Sequence, residues 1–259
     1  MILDGKLLSE TLAGELKQKA SGRRIALRVI LVGNNPASIK YVDAKQKRAR
    51  EIGVDCEVVR FDADVTAPEL IAAIDGFNND ADVNGIMVQL PLPGHIDADK
   101  ILGAIDATKD VDGLNPYGSN FMPATVLGIE KLLEHYLFGA GFDLDGKVAV
   151  VVGAGKTVGK PAADMLLAHG ATVIICHDKT KDLAVFTRQA DILVAAAGAA
   201  GLITPDHIKD GVIIIDTGAI EGDVSKDCYA RAAAYTPVPG GVGPMTVISL
   251  MENTIRSAK

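Results

Sequence analysis

The sequence predicts a two-part α/β fold: an N-terminal α/β domain and a Rossmann-type, doubly wound parallel sheet. Three observations carry this. Runs rich in Val, Ile and Ala alternate with helical patterns along the whole chain. The runs in the second half are continuously apolar, as strands covered by helices on both faces require. A stretch of turn formers, KDVDGLNPYGSN over 109–120, interrupts the alternation and marks a boundary, giving domains 1–118 and 119–242.

IALRVILVG (25–33) reads as a buried strand, followed by a helix over SIKYVDAKQKRAREIGV (38–54) and a strand over VDCEVVRFD (54–62). A helix near 67–80 leads into GIMVQLPLP, a strand that must stop at Pro91 because proline cannot keep donating to a ladder. A helix near 97–105 precedes the turn-rich loop, and TVLGIEKLLEHYLF, starting at Thr125, reads as a linking helix. Strands then follow at 147–153, 171–177, 190–198 (ADILVAAAG) and 211–218 (GVIIIDTG), with helices after the first two. The final 14 or so residues read as one helix with Pro244 near its first turn.

The chain carries a net charge of −7 with a pI of about 5.2, and 48% of its residues are hydrophobic. That acidity argues against a nucleic-acid or anionic-membrane partner, whose phosphates call for a basic surface. Aromatics at 4%, with no Trp, make base-stacking platforms a poor expectation too. Cys56, Cys176 and Cys228 are far apart and form no C-x-x-C pair, which fits reduced thiols and no metal site. MILDGKLLSE lacks a signal-peptide core, and the longest apolar runs are far short of a bilayer span. A cytoplasmic protein is the expectation.

One lysine falls on the wrong side of its helix. At about 100° per residue, Val42, Ala49 and Ile52 define an apolar stripe, and Lys45 projects between them. Lys40 and Lys47 project roughly opposite, while Ser38 and Tyr41 share the Lys45 face. Such a lysine either snorkels to the surface or is held for chemistry.

VVVGAGKTVGKPAADMLLAHG runs from a strand through Gly153, Gly155 and Gly159 into a helix, the context a dinucleotide fingerprint requires. The spacing is G-x-G-x-x-x-G, one residue longer than usual. A P-loop reading of GAGKT fails, because it would need glycine where Val150 stands. One strand later comes Asp178, in the place where a carboxylate receives the adenosine ribose hydroxyls and favours NAD. It is equally suited to cap the next helix.

Four strings, S-x-x-Y-x-x-x-K at Ser38, Tyr41 and Lys45, VQLPLP at 88–93, KDVDG at 109–113 and TPVPGGVGPMT at 236–246, appear in this order. Together they resemble the bifunctional methylenetetrahydrofolate dehydrogenase/methenyltetrahydrofolate cyclohydrolase family over almost the entire chain. The resemblance implies oxidation of 5,10-methylenetetrahydrofolate with a nicotinamide cofactor, NADP by family default, then hydrolysis of the methenyl form to 10-formyltetrahydrofolate. It further implies two domains around a cleft, a last helix (243–259) returning to the N-terminal domain, and a homodimer. Lys45 would be the central catalytic residue, with Tyr41, Gln89 and Asp112 as its catalytic partners. The folate would meet Ser38, Tyr41, Pro91, Asp112, Pro239, Gly240 and Gly241. The dinucleotide would lie along Thr125, Gly153, Ala154, Gly155, Thr157, Val158, Gly159, His177, Asp178, Thr217, Gly218, Ala219 and Thr246.

The chain departs from the family pattern in its coenzyme region. G-R-S and C-H-S are usual; here Ala154 and Gly155 replace the Arg and Ser, and Asp178 replaces the second Ser. Two phosphate-binding groups are missing and a carboxylate is added, with Lys156, Lys179 and Lys181 close in sequence. PATVLG keeps Pro123, Thr125 and Gly128, and the loop from Gly113 to Pro123 is shorter than usual. Alternatives are an enzyme with one of the two activities, a Rossmann oxidoreductase on another small molecule, and a binding protein that no longer turns over. The residues themselves leave NAD or NADP open.

Overall fold

The structure is a computed structural model that describes residues 1–218 and 220–258. The first half runs α1 (Gly5–Ala20), β1 (Ala26–Val32), α2 (Pro36–Ile52), β2 (Asp55–Phe61), α3 (Ala67–Asn79), β3 (Gly85–Val88) and α4 (Ala98–Leu102). Then come α5 (Ala124–Leu133), β4 (Val148–Val152), α6 (Gly159–Ala168), β5 (Thr172–Cys176) and α7 (Leu183–Thr187). β6 (Ile192–Ala195), β7 (Ile213–Asp216), β8 (Ala234–Tyr235) and α8 (Val242–Ser257) complete the chain. Every pairing between these strands is parallel, the α/β class expected from the unbroken apolar runs.

Two compact units result. The first comprises Thr11–Ala124 and Val247–Lys259, the second Met1–Glu10 and Thr125–Thr246. Residues 1–10 group with the second unit in this division. The cause is local: Leu3 N–H donates to Tyr235 O at 2.8 Å and Tyr235 N–H to Met1 O at 3.0 Å, so the first residues lie along β8.

The first unit holds a three-stranded sheet in the order β2-β1-β3. β1 is central, and Ile30, Leu70, Ile74, Ile86, Val88 and Ile101 form a buried core beside it. Each such aliphatic side chain stabilises the fold by about 1.5–3 kcal/mol. α2 begins where the Asn35 side chain accepts the N–H groups of Ala37 and Ser38, with Pro36 in its first turn. It stops at Gly53, whose φ of 93° only glycine adopts freely. β3 ends at Val88, ahead of the expected stop, although Gln89 N–H still donates to Ile30 O at 2.9 Å. The peptide Leu90–Pro91 is cis.

The second unit holds a five-stranded sheet in the order β5-β4-β6-β7-β8. The strand order reverses between β4 and β6, and the crevice outside their carboxyl ends is where such sheets bind ligands. The helix expected from Thr125 to Phe138 is α5 followed by a π-helical turn, Glu134–Phe138. His169 packs flat on Phe142 at 4.0 Å; its Nδ1 lies 2.9 Å from Phe142 O and its Nε2 2.9 Å from Glu130 Oε1. Both ring nitrogens thus face acceptors. Among the described residues no helix is long and apolar enough to cross a membrane.

Candidate active site

In the first unit, α2 turns Ser38, Val42, Lys45, Ala49 and Ile52 inward. Lys45 is 5% exposed, so it does not snorkel: Nζ donates to Gln89 Oε1 at 2.9 Å and lies 3.4 Å from Met87 Sδ. Gln89 is fixed in turn, because its Nε2 donates to Leu90 O at 2.6 Å. Tyr41, one turn before Lys45, is half-buried, and Pro91 is exposed. Burial lowers the Lys45 amine below its ordinary 10.5, and an ionised Asp112 or, less strongly, Cys56 would pull it back up. Burial also raises the Asp112 carboxyl, against the pull of Lys45. Burial thus pushes each group towards its neutral form, and their mutual attraction opposes it. Cys56, whose thiol is pushed up to about 11 chiefly by burial, stays protonated and is no nucleophile here.

The Asp112 loop is anchored on every side, which explains the KDVDG string. Lys109 Nζ caps the end of α3 by donating to the carbonyls of Phe77, Asn78 and Asp80. Asp110 Oδ2 accepts Asn115 N–H at 2.9 Å. Val111 O accepts Asn253 Nδ2 of α8 at 2.9 Å, and the same amide reaches Met122 O at 3.1 Å. Gly113 has φ 71°, and a Cβ there would press on Pro123 N at 2.6 Å.

In the second unit, β4 leads into the glycine loop. Gly153 has φ 109° and lies against the Ala196 carbonyl, while Gly159 lies against the Gly153 carbonyl; neither leaves room for a Cβ. Gly155 faces open space. These are the needs of a dinucleotide turn: one glycine for the bend, one open for the ligand, one for helix packing. Val158 gives α6 no side-chain cap; in its first turn Lys160 N–H donates to Gly155 O at 3.0 Å and Pro161 carries no N–H, so the Gly159 N–H is the donor at the start of the helix that an anion could meet. Asp178 lies just past β5 and its side chain is 82% exposed. It is not a helix cap, since Asp182 holds the N-cap position of α7.

The other expected residues are placed as follows. Thr246 Oγ1 donates to Thr125 Oγ1 at 3.2 Å, and Thr217 Oγ1 donates to Ala195 O at 3.0 Å. Ala154 and Val158 are half-buried, Thr157 and His177 exposed, and Gly218 N–H donates to Asp216 Oδ1 at 2.9 Å. Ala219 lies outside the described residues. Pro239 follows a cis peptide, Gly240 O accepts Lys6 N–H at 2.8 Å, and Gly241 is buried.

Sequence reasoning missed Asn253, Asp216 and Asp223, all at most 1% exposed. Asn253 sits at helical spacing within an apolar pattern, a detectable signal; Asp216 looks like an ordinary strand end. Among the described residues no cluster of His, Cys, Asp or Glu could hold a metal ion.

A parallel sheet with a glycine loop at its reversal point in one unit, and a lysine held inside the other, define a two-unit, dinucleotide-binding α/β enzyme. Comparison with known proteins makes this specific. A family model described as "Tetrahydrofolate dehydrogenase/cyclohydrolase, catalytic domain" matches residues 3–112, and its "NAD(P)-binding domain" counterpart matches 123–259. The Campylobacter jejuni protein named "Bifunctional protein FolD" is 47% identical, over 100% of this chain and 98% of its own. A crystal structure of the C. jejuni enzyme superposes with a TM-score of 0.93 at 46% identity, covering 100% and 98% of the two chains. The Trypanosoma brucei dehydrogenase-cyclohydrolase, solved with NADP and an inhibitor, gives 0.93 at 34% identity, covering 99% and 96%. This chain belongs to the tetrahydrofolate dehydrogenase/cyclohydrolase family.

Proposed function

We propose that the protein oxidises 5,10-methylenetetrahydrofolate to 5,10-methenyltetrahydrofolate with a nicotinamide coenzyme, then hydrolyses it to 10-formyltetrahydrofolate. The observation that carries this is the Lys45 amine, buried and 2.9 Å from Gln89 Oε1. The methenyl bridge is a delocalised cation, so a neutral amine beside it is tolerated where an ammonium is repelled. A neutral Lys45 takes a proton from the water that attacks the bridge carbon, and Gln89 fixes the amine through its carbonyl oxygen. The C–N5 bond then breaks, N5 regains a proton, and the formyl group remains on N10. Asp112 holds the pterin ring, with Ser38, Tyr41 and Pro91 alongside and Pro239, Gly240 and Gly241 as further folate contacts. The bound coenzyme supplies the hydride acceptor, and Gly153, Gly155 and the start of α6 hold its pyrophosphate. The oxidation needs mainly positioning, so it depends less on Lys45.

Asp178 favours a finer reading of coenzyme choice. Its exposed carboxylate, one strand after the glycine loop, suits the ribose hydroxyls, and Ala154 and Gly155 offer no cation to a 2′-phosphate. Lys179 Nζ lies 3.7 Å from Asp178 Oδ2, in an exposed pair. The enzyme accepts NAD at least as well as NADP. We read it further as a cytoplasmic homodimer: β5 is a sheet edge bearing Ile175, 41% exposed, an edge suited to a second copy. Following methenyl absorbance as it forms and decays, with NAD and NADP supplied separately, tests the activities. Absence of formation with both coenzymes, or of enzyme-dependent decay, refutes the corresponding half.

A further inference from the structure

Asp216 and Asp223 are 0% and 1% exposed and take no part in the chemistry above. Backbone N–H groups satisfy them instead. Asp216 Oδ1 accepts Gly218 N–H at 2.9 Å and Asp223 N–H at 3.1 Å, and its Oδ2 accepts Val224 N–H at 2.9 Å. Asp223 Oδ2 accepts the N–H groups of Ala197 (2.6 Å) and Gly198 (2.9 Å), just beyond β6. The preceding carbonyl, Ala196 O, is the atom against which Gly153 is packed, and Ala196 N–H donates to Val152 O at 2.7 Å. An unbroken series of contacts thus runs from the end of β7, through two carboxylates, to the glycine loop, across the point where the strand order reverses.

We propose that Asp223, seated by Asp216, is a positioning residue for coenzyme binding: it holds the 196–198 segment that supports Gly153. This rests on the reading of the Gly153 loop as the dinucleotide site. A buried carboxylate accepting two N–H groups fixes a backbone more firmly than a neutral acceptor does, and its removal releases Ala197 and Gly198, both exposed, from their anchor.

The test uses the full chain with Asp223→Ala, Asp223→Asn and Gly153→Ala. Binding is read from the fluorescence of NADH and NADPH on titration, and methenyl hydrolysis is measured without coenzyme. Asp223→Ala is expected to weaken coenzyme binding at least tenfold and Asp223→Asn about threefold to fivefold, with hydrolysis within twofold of the parent. If both Asp223 variants bind within error of the parent while Gly153→Ala binds weakly, the positioning role is wrong. If Gly153→Ala also binds normally, the dinucleotide reading of the loop fails instead. Hydrolysis falling in step with binding reveals general damage and overturns the proposal. Should Asp223→Ala not fold, Asp223→Asn decides: parent-like binding overturns the role, and a selective loss supports it.

Discussion

Lys45 is positioned by direct side-chain contacts; Gly153 is packed directly on backbone. The lysine is buried against Gln89 and Met87, and the neighbouring aspartate sits on a loop tied down by Lys109, Asp110 and Asn253. The glycine loop presents exposed or half-buried residues at 154–158, and its shape is set by close approach to the carbonyl of Ala196. The difference follows from the chemistry asked of each. Stripping a proton-transfer group of water shifts its pKa, whereas a pyrophosphate is held by backbone N–H groups. Substitutions in the two regions should therefore fail in different ways.

The largest separation is expected from Lys45→Met. Hydrolysis should fall by about 10²–10⁴-fold, the range for losing a general base, with oxidation reduced far less; equal losses in the two assays would collapse the contrast. The same change should stabilise the protein at neutral pH. Between the lowered folded pKa and 10.5, the unfolded chain binds the extra proton, so the parent gains stability as pH rises through that window and the gap closes. Denaturant melts of both proteins at several pH values check the sign.

Asp178→Ser sharpens the backbone side of the comparison. Removing the carboxylate should shift the NADP-to-NAD ratio of kcat/KM towards NADP by about tenfold, one charge contact being worth about 1 kcal/mol or slightly more. Hydrolysis should not change. An unaltered ratio would mean that the exposed carboxylate does not meet the ribose.

A smaller effect is expected in the pH profile of hydrolysis by the parent enzyme. Its rate should rise with pH and level off below 10.5, as the buried amine loses its proton early. A profile that still climbs at 10.5 would place an ordinary, solvated lysine at the site. The least effect belongs to His169→Phe, remote from both regions in role. Burial opposes protonation of His169, but its bonds to Glu130 and the Phe142 carbonyl outweigh this and raise its pKa above 6.5. Its contribution, about 1 kcal/mol, is present in full below 6.5 and lost as pH rises through the folded value. Melting temperatures of the two proteins should diverge in acid and converge in base.

Much of this was legible in the residues. The Lys45 face was readable because a helix repeats every 3.6 residues and a charge inside the apolar arc stands out. The strands were readable as unbroken apolar runs, and Gly153 and Gly159 through their spacing. What could not be read depends on contacts distant in sequence. Nothing local tells that Met1–Leu3 lies along β8, or that Asp216 ends β7 facing inward to collect N–H groups. Nor does the sequence tell that Asp182, not Asp178, stands at the start of α7.

Asn253 reaches Val111 across 142 positions of chain. On a ribosome, Asp112 emerges long before the amide that will pin its loop, so the lysine's pocket is assembled early and its acidic neighbour is locked last. A nascent chain stalled before residue 253 would carry the amine without a settled carboxylate, and catalytic competence should arrive only as the final helix docks.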